Sequence, residues 1–375
     1  MHFFDPLYGR VEIPEYCEAF VATKQFRRLQ YLRQLDLCYL SFIGGNHTRF
    51  EHSIGAFYLA TLVAKSIEYS KIAGRADRDR LARIVIVASL CHDIGHGPFS
   101  HMTENVLAGL GGEVTHEEVG AALLAGPLRG CFRAVEPWTI SPEMIGSVLT
   151  KTLHDDPMVS CATALVSSDL DVDRLDYLHR DAHYAGSDFP SRSVFADLDE
   201  VWSFRYEDGR VYSELTPVGV RFAEQILFLR RSHYQRIIFE SAHMAATGMF
   251  ERAMLAAYMS QSAFGECLRS VVKCKMAWGD PQSITRNLPT LLQLYDLVDY
   301  EAVGALESSC DDARNLVQRI RHGRLHQPLK RWPWQDIHHL AKQRITSLTR
   351  GADAFRFRRA RLPPPSRPVR SRAVF

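Results

Sequence analysis

The sequence predicts an all-α fold with one or two short β-hairpins. Apolar residues recur at helical spacing along most of the chain, and the segment 55–70 is the first long example. Only two short segments have the pattern of strands, residues 8–13 and residues 201–215. The second contains Glu207-Asp208-Gly209-Arg210 between two alternating aromatic runs, which is typical of a hairpin.

The predicted helices follow one another with short breaks. A nearly continuous apolar run indicates a buried helix over residues 80–92, which ends before Gly95 and Gly97-Pro98. Further helices are predicted over residues 116–125, 142–153, 158–183, 216–258 (one long helix or two end to end) and 260–345, the last with breaks near 279–281 and at Pro328. From about residue 352 arginine, proline and serine dominate, and this composition predicts an extended or disordered tail.

Bulk composition places the chain among ordinary globular proteins. Of the 375 residues, 46% are hydrophobic and 23% are charged. The eight cysteines form no CxxC pair, which indicates reduced thiols in a cytoplasmic protein. The start of the chain lacks a signal-peptide pattern, and the longest apolar run, Ile84–Cys91, is too short to span a bilayer. We therefore expect a cytoplasmic protein with no membrane association.

Charge is distributed unevenly between the body and the tail. Residues 355–375 contain seven arginines and no acid, whereas the remainder has 38 basic and 43 acidic residues. Such a tail is either a solvated terminus or a docking arm for nucleic acid, bound mainly through phosphates.

Three polar segments interrupt the helical pattern with residues that suit a metal. His52 precedes the first predicted long helix, His92-Asp93 follows the buried helix, and Asp173 lies inside a later helical stretch. Any one of these residues alone is more often a solvated or capping group. Together, two imidazoles and two carboxylates form a ligand set for one divalent transition metal (Fe, Mn, Zn, Ni or Co) rather than calcium.

The strings around these residues carry a family resemblance. The chain resembles the HD-domain phosphohydrolases, and most closely their deoxynucleotide triphosphohydrolase branch. The resemblance is strongest over about residues 5–190 and looser to about 335. Its motifs are Asp5-Pro6-Leu7-Tyr8-Gly9, Arg49-Phe50-Glu51-His52-Ser53, the run from His92 to His101 and the run from Asp171 to Asp181.

The resemblance implies a role for each matching position. His52, His92, Asp93 and Asp173 match the metal ligands. Arg49 and Arg174 match positions that contact phosphates, and Tyr177 and Asp181 match positions at the sugar site. His96 and His116 match histidines near the leaving group, with His101 beside them. The implied reaction hydrolyses a dNTP to a deoxynucleoside and inorganic triphosphate, by attack of a metal-activated water on the α-phosphate. Added Mg or Mn with the substrate phosphates and a homo-oligomeric state are also implied.

The chain departs from the family after residue 230. Where relatives place a tyrosine, a histidine and a lysine against the triphosphate, this chain has Phe239, Ser241 and Ala242. Tyr234 and Arg236 are candidate substitutes from nearby turns. The alternatives are therefore an HD phosphohydrolase that acts on nucleoside monophosphates or nucleic acid ends, or a degenerate nucleic-acid-binding regulatory module.

A second departure concerns regulation. Ala22, Arg27 and Gln30 stand where GTP-activated relatives read guanine, so we expect no activation by GTP. The predicted organisation is a phosphohydrolase core over residues 1–200 and a helical extension over 201–350, which completes the active site and provides oligomer contacts. The basic tail covers residues 351–375.

Overall fold

Helices account for most of the chain, with two small antiparallel hairpins, as the sequence predicts. The computed structural model describes residues 1–68, 70, 74–187, 195, 197–208, 210–276 and 283–326. Its first elements are β1 His2–Asp5, β2 Gly9–Glu12, α1 Glu15–Val21, α2 Lys24–Arg28, α3 Arg49–Glu68, α4 Arg75–Cys91, α5 Ser100–Gly109, α6 His116–Ala125 and α7 Pro142–Thr150. They continue with α8 Pro157–Val166, α9 Val172–Tyr184, β3 Trp202–Glu207, β4 Arg210–Leu215, α10 Pro217–His233, α11 Ser241–Met259, α12 Ala263–Met276, α13 Ser283–Tyr295, α14 Asp299–Ser309 and α15 Asp311–Arg321.

Both hairpins are closed by short turns. In the second, Glu207 pairs with Arg210, so the predicted hairpin over residues 201–215 is confirmed. The first pairs β2 with β1, which the sequence pattern of residues 8–13 did not reveal. Strand β1 ends at Asp5, whose carboxylate accepts hydrogen bonds from two backbone amides of the turn.

The core is built around α3. This helix packs along α4 on one side and against α9 on another, and α4 in turn packs on α8. Its residues Phe57, Leu59 and Val63 are fully buried, as are Val85 and Leu90 of α4. The buried helix predicted over residues 80–92 is therefore confirmed as the later part of α4. Residues Met1–His326 form one compact unit.

Helix α3 begins six residues earlier than predicted, so His52 lies within the helix and not before it. The cause is a reciprocal cap. The Thr48 hydroxyl accepts a hydrogen bond from the Glu51 amide at 3.3 Å, and the Glu51 carboxylate accepts one from the Thr48 amide at 2.6 Å. This capping box satisfies amides that a helix start leaves without partners. It places Arg49 and His52 in the first turn.

The predicted helical stretch 158–183 is divided in two. Helix α8 ends at Val166, and Asp171 then caps α9 by accepting from the Arg174 amide at 2.7 Å. The other Asp171 oxygen accepts from the Ser168 amide at 2.7 Å, which fixes the connecting loop. Asp173 therefore lies in the first turn of a helix and not in its interior.

The stretch 216–258 forms two helices. A π-helical turn over Tyr234–Ile238 follows α10, and Glu240 then caps α11 through the Ala242 and His243 amides. The break predicted at residues 279–281, the one at Pro328 and the basic tail lie outside the described residues. Among the described helices, none combines the length and the apolarity that crossing a bilayer requires. The division at residue 200 stays a prediction.

We expect Gly55→Ala to lower the free energy of unfolding by roughly 2–3 kcal/mol, as overpacking of a filled interior does. A β-carbon at Gly55 would collide with Asp176 Oδ1 and Arg180 Nη2. Gly248→Ala is the matched control, since Gly248 lies exposed in α11 with nothing near its β-carbon position. That change should raise the free energy of unfolding by roughly 0.5–1 kcal/mol through helix propensity. Urea denaturation of both variants measures the difference, and equal effects would contradict close packing at Gly55.

Candidate metal and proton-transfer site

Four side chains from three helices converge on one point, which we call the metal cluster: His52, His92, Asp93 and Asp173. His52 comes from the first turn of α3, His92 and Asp93 from the end of α4, and Asp173 from the first turn of α9. His52 Nε2 lies 3.0 Å from His92 Nε2 and 3.1 Å from Asp173 Oδ1. His92 Nε2 lies 3.3 Å from Asp93 Oδ1. All four predicted ligands are therefore neighbours.

The metal cluster fits a divalent transition metal. Ligand atoms about 2.1 Å from one ion at right angles lie about 3 Å apart, which matches the spacing of the two imidazoles. His92 Nδ1 contacts the Ser89 carbonyl oxygen at 2.7 Å, and His52 Nδ1 contacts Asp176 Oδ2 at 2.8 Å. These bonds hold the Nδ1 protons and leave both Nε2 lone pairs for an ion. No metal is needed to explain the ring orientations, but the donor set suits one.

Behind His52 a chain of buried ion pairs reaches the N-terminal hairpin. Asp176 accepts from Arg180 Nε at 2.8 Å and from Arg180 Nη2 at 3.0 Å, in forked geometry. Arg180 Nη1 then lies 2.9 Å from Asp5 Oδ2. Arg180 and Asp176 are completely buried. The position of His52 is therefore fixed by β1, α3 and α9 together.

The two arginines predicted to contact phosphate are both engaged with aspartates. Arg49 Nη1 donates to Asp93 Oδ2 and Arg49 Nε donates to Ser100 Oγ, both at 2.6 Å. Burial alone would raise the pKa of the Asp93 carboxyl, but the charges of its basic neighbours, Arg49 among them, hold that pKa well below its usual range. Arg174 binds the Asp171 carboxylate and is partly exposed.

A second group, which we call the His/Glu cluster, lies beside the metal cluster: His96, His101, Glu104 and His116. The rings of His96 and His116 stack with centroids 3.7 Å apart. Glu104 Oε1 lies 3.0 Å from His116 Nδ1, and Oε2 lies 3.0 Å from His101 Nδ1. Sequence reasoning found the three histidines and missed Glu104. Its signal was the spacing of His101 and Glu104, one turn apart on α5.

One proton has a defined place in the His/Glu cluster. Burial opposes a charge on His116, but Glu104 raises the pKa of His116 to about 9. Burial, followed by the charges of Arg49 and His116, holds the pKa of His96 well below its ordinary value. His116 therefore carries a proton at neutral pH, while the ring stacked on it is neutral.

The predicted sugar-site residues Tyr177 and Asp181 follow Asp173 by one and two turns along α9. Asp181 is buried between two imidazoles, with His47 Nε2 at 2.8 Å from one oxygen and His233 Nε2 at 2.7 Å from the other. The Tyr177 ring lies 5.4 Å from the His233 ring. His47 and His233 were not singled out from the sequence, because they lie far from Asp181 in the chain and in no recognised motif.

The remaining predicted substrate residues lie on the π-helical turn after α10. Tyr234 packs its ring 5.8 Å from the ring of Phe239, and Arg236 is exposed. Inserted π-helical turns are frequent at functional sites, because they re-aim side chains within a helix.

A small cavity opens onto both clusters. Its volume is about 40 Å³, and it is lined by His92, His116, Glu117, Leu149, Val166, Ser167 and Asp173. This volume admits a few water molecules, whereas pockets for whole ligands measure about 300–1,000 Å³. The cavity therefore brings water to the metal cluster and to the protonated His116.

Comparison with known proteins defines the class. Residues 49–181 match the family model of the HD domain, a span that contains both clusters. The chain is an HD domain protein.

Its relatives include enzymes and proteins of unassigned activity. Uncharacterized protein YwfO of Bacillus subtilis is 33% identical over 261 residues, which cover 67% of this chain and 55% of the relative. The deoxynucleoside triphosphate triphosphohydrolase SAMHD1 homolog of Dictyostelium discoideum is 32% identical over 207 residues, or 53% of this chain and 38% of the relative. The Xenopus laevis SAMHD1 enzyme is 30% identical over 243 residues, or 54% and 38%. The chain thus spans about half the length of these relatives, or less.

We expect the purified protein to bind about one transition metal ion per chain and Asp93→Ala to lose it. Asp93 is buried, and its Oδ1 lies 3.3 Å from His92 Nε2, so the alanine removes one of the four donors. Asp156→Ala is the control, because Asp156 caps α8 and binds Arg80 outside the metal cluster. Metal content measured by plasma mass spectrometry decides the assignment. Unchanged metal in Asp93→Ala would show that the ion is held elsewhere.

The Glu104–His116 pair should make stability depend on pH. The folded protein keeps a proton on His116 up to about pH 9, whereas the unfolded chain releases it near pH 6.5. The stabilisation is complete below pH 6.5 and is lost as the pH rises towards 9. Glu104→Gln should therefore flatten the fall in unfolding free energy of the metal-free protein between these values.

Glu143→Gln is the matched control for this measurement, because Glu143 is a surface acid paired with Arg129. It should keep the wild-type slope. The same slope in Glu104→Gln and wild type would remove Glu104 as the cause of the proton on His116.

Proposed function

We propose that this HD domain protein is a metal-dependent phosphohydrolase, and that its substrate is a dNTP, cleaved to a deoxynucleoside and inorganic triphosphate. The observation that carries the proposal is the shared carboxylate of Asp93. Its Oδ1 lies 3.3 Å from His92 Nε2 in the metal cluster and 3.3 Å from His96 Nε2 in the His/Glu cluster. Hydrolysis of a phosphate ester needs an activated water and a proton for the leaving oxygen, and the two clusters offer both side by side.

The metal cluster would hold the Lewis acid that the reaction needs. His52, His92, Asp93 and Asp173 would hold a divalent ion, which would offer a Lewis acid for phosphate oxygens and lower the pKa of a water. Arg49, fixed by Asp93 and Ser100, adds positive charge beside the same phosphate.

His116 would supply the proton to the leaving 5′-oxygen. Glu104 keeps His116 charged at neutral pH, and the stacked His96 is neutral, so one ring of the pair holds a transferable proton. His101 shares the Glu104 carboxylate from the exposed side of α5 and completes the cluster.

Tyr177 and Asp181 would line the sugar. Because His47 and His233 each hold one oxygen of Asp181, we assign them as positioning residues that orient this carboxylate. Arg174, Tyr234 and Arg236 are the proposed contacts to the outer phosphates. The names of the SAMHD1 relatives support a dNTP as the substrate.

A second candidate keeps the chemistry and changes the substrate. Phe239, Ser241 and Ala242 remove the charged and hydroxyl groups that the resemblance places against a triphosphate. These replacements favour a nucleoside monophosphate or the end of a nucleic acid strand, and the basic tail would contribute to the latter. We further propose a homo-oligomer, with added Mg or Mn accompanying the substrate phosphates.

Incubation with dNTPs, NTPs, nucleoside monophosphates and short single-stranded DNA or RNA, each with Mn²⁺, tests the proposal. We expect a dNTP to give a deoxynucleoside and inorganic triphosphate in one step, because the proposed water attacks the α-phosphate. His116 then protonates the leaving 5′-oxygen. Chromatography with ³¹P NMR identifies the products. Asp93→Ala is the inactive control, and Asp156→Ala should keep activity.

Release of orthophosphate from monophosphates, or activity confined to strand ends, would replace the dNTP by the second candidate. Absence of activity on every substrate in the metal-loaded protein would reject both and leave a regulatory module.

A further inference from the structure

The His/Glu cluster has the donor set of a second metal site. Its four side chains each offer one ligand atom, and these atoms lie within 4.8 Å of one another. Three imidazoles and a carboxylate suit zinc and its neighbours among the transition metals. Donors bound about 2.1 Å from a tetrahedral ion lie about 3.4 Å apart, so an ion at this spacing requires only small movements of the side chains.

The Glu104 carboxylate is the centre of this donor set. His101 Nδ1 and His116 Nδ1 each lie 3.0 Å from one of its oxygens. Glu104 Oε1 also accepts from the His116 amide at 3.0 Å, which fixes the start of α6 beside α5. An ion between these three side chains would take over the contacts that the two imidazoles now make with the carboxylate.

His96 gives an independent sign of a ligand at this place. The residue is 1% exposed, yet its Nδ1 makes no hydrogen bond with any residue that the structure describes. Buried polar atoms normally have a partner, either in the protein or in an ordered water. Three protein ligands leave one position of a tetrahedral ion open, and a water at that position would donate to His96 Nδ1.

The site is open to solvent and separate from the metal cluster. The side chain of His101 is 59% exposed, so an ion can enter from the surface of α5. On the inner side, the His96 ring lies between the two sites, with Nε2 3.3 Å from Asp93 Oδ1 and Nδ1 3.6 Å from Glu104 Oε1. This arrangement differs from two-metal sites in which the ions lie about 3.5–4 Å apart.

We propose that the His/Glu cluster binds a zinc ion through His101, Glu104 and His116, as a second and weaker metal site that inhibits the proposed hydrolysis. The site itself needs no assumption about substrate, whereas the inhibition rests on the proposed function. His116 carries a proton at neutral pH, which the ion must displace, so this site fills after the metal cluster. A zinc-bound His116 no longer delivers a proton to the leaving 5′-oxygen.

Zinc titration of the metal-stripped full chain tests the site. Isothermal titration calorimetry at neutral pH should resolve two sites in the wild type and only the weaker one in Asp93→Ala. His101→Ala and Glu104→Gln should each raise the dissociation constant of the weaker site roughly tenfold or more, because each removes a ligand. Cobalt bound to Asp93→Ala should give the intense visible absorption of a four-coordinate ion, and His101→Ala in the same background should abolish it.

His154→Ala and Glu143→Gln are the matched controls. His154 is an exposed histidine outside both clusters, and Glu143 is a surface acid paired with Arg129. Both variants should keep two sites with wild-type dissociation constants. Circular dichroism confirms that each variant is folded.

Hydrolysis in the presence of excess zinc tests the inhibition. Zinc beyond one equivalent should slow the wild-type reaction on the substrate that the nucleotide panel identifies. His101→Ala should tolerate roughly tenfold more zinc, in line with its weaker site. Because His101 belongs to the His/Glu cluster, each rate is compared with the rate of the same variant at one equivalent.

A wild type with one zinc site would overturn the proposal, as would a second site that survives both His101→Ala and Glu104→Gln. Two sites with an unchanged rate of hydrolysis would overturn the inhibition. A protein without phosphohydrolase activity would reject the proposed function and the inhibition with it, whereas the titration would still decide whether the site exists.

Discussion

The carboxylate of Asp176 connects the metal cluster to the rest of the fold. It is completely buried, and it binds His52 on one side and both nitrogens of the Arg180 fork on the other. A buried charge without a partner destabilises a protein by several kcal/mol, so each member of this network requires the others. The same Arg180 binds Asp5, so the N-terminal hairpin is part of the arrangement that orients a metal ligand. Gly55 leaves the space in which the carboxylate and the guanidinium meet.

The two clusters adjoin at Asp93 and differ in chemical composition. In the metal cluster, imidazole nitrogens and carboxylate oxygens face one common point. In the His/Glu cluster, the Glu104 carboxylate binds the imidazoles of His101 and His116 instead. Arg28 helps to fix the backbone at His96 in the His/Glu cluster, because its buried guanidinium donates to the backbone carbonyl oxygens of His96 and Leu297. Burial lowers the pKa of both imidazoles, but the Glu104 carboxylate raises the pKa of His116 to about 9, so the two stacked rings titrate far apart.

The sequence allowed prediction of the fold class, most helices and all four metal-cluster residues. Each of these has a local signal, either periodic apolar residues or an ordered set of polar strings. The predicted start of α3 is wrong because the Thr48–Glu51 capping box begins the helix six residues earlier. The predicted stretch 158–183 is wrong at the break before α9, because Asp171 caps a new helix there. Glu104 has one local signal, its position one turn after His101. His47 and His233 have none, since their partner Asp181 is distant in the chain. Asp181 binds His47 and His233 at separations of 134 and 52 residues.

Two helix termini of opposite polarity meet at the metal cluster. Helix α4 ends at His92, where its free carbonyl groups favour a cation, and α9 begins just before Asp173, where its free amides favour an anion. The ligands are thus held by backbone electrostatics and by the buried partners Arg49 and Asp176. A site of this kind does not need the metal as a folding nucleus, in contrast to small zinc domains. Metal identity can then be decided after folding, by the supply of ions that the protein meets.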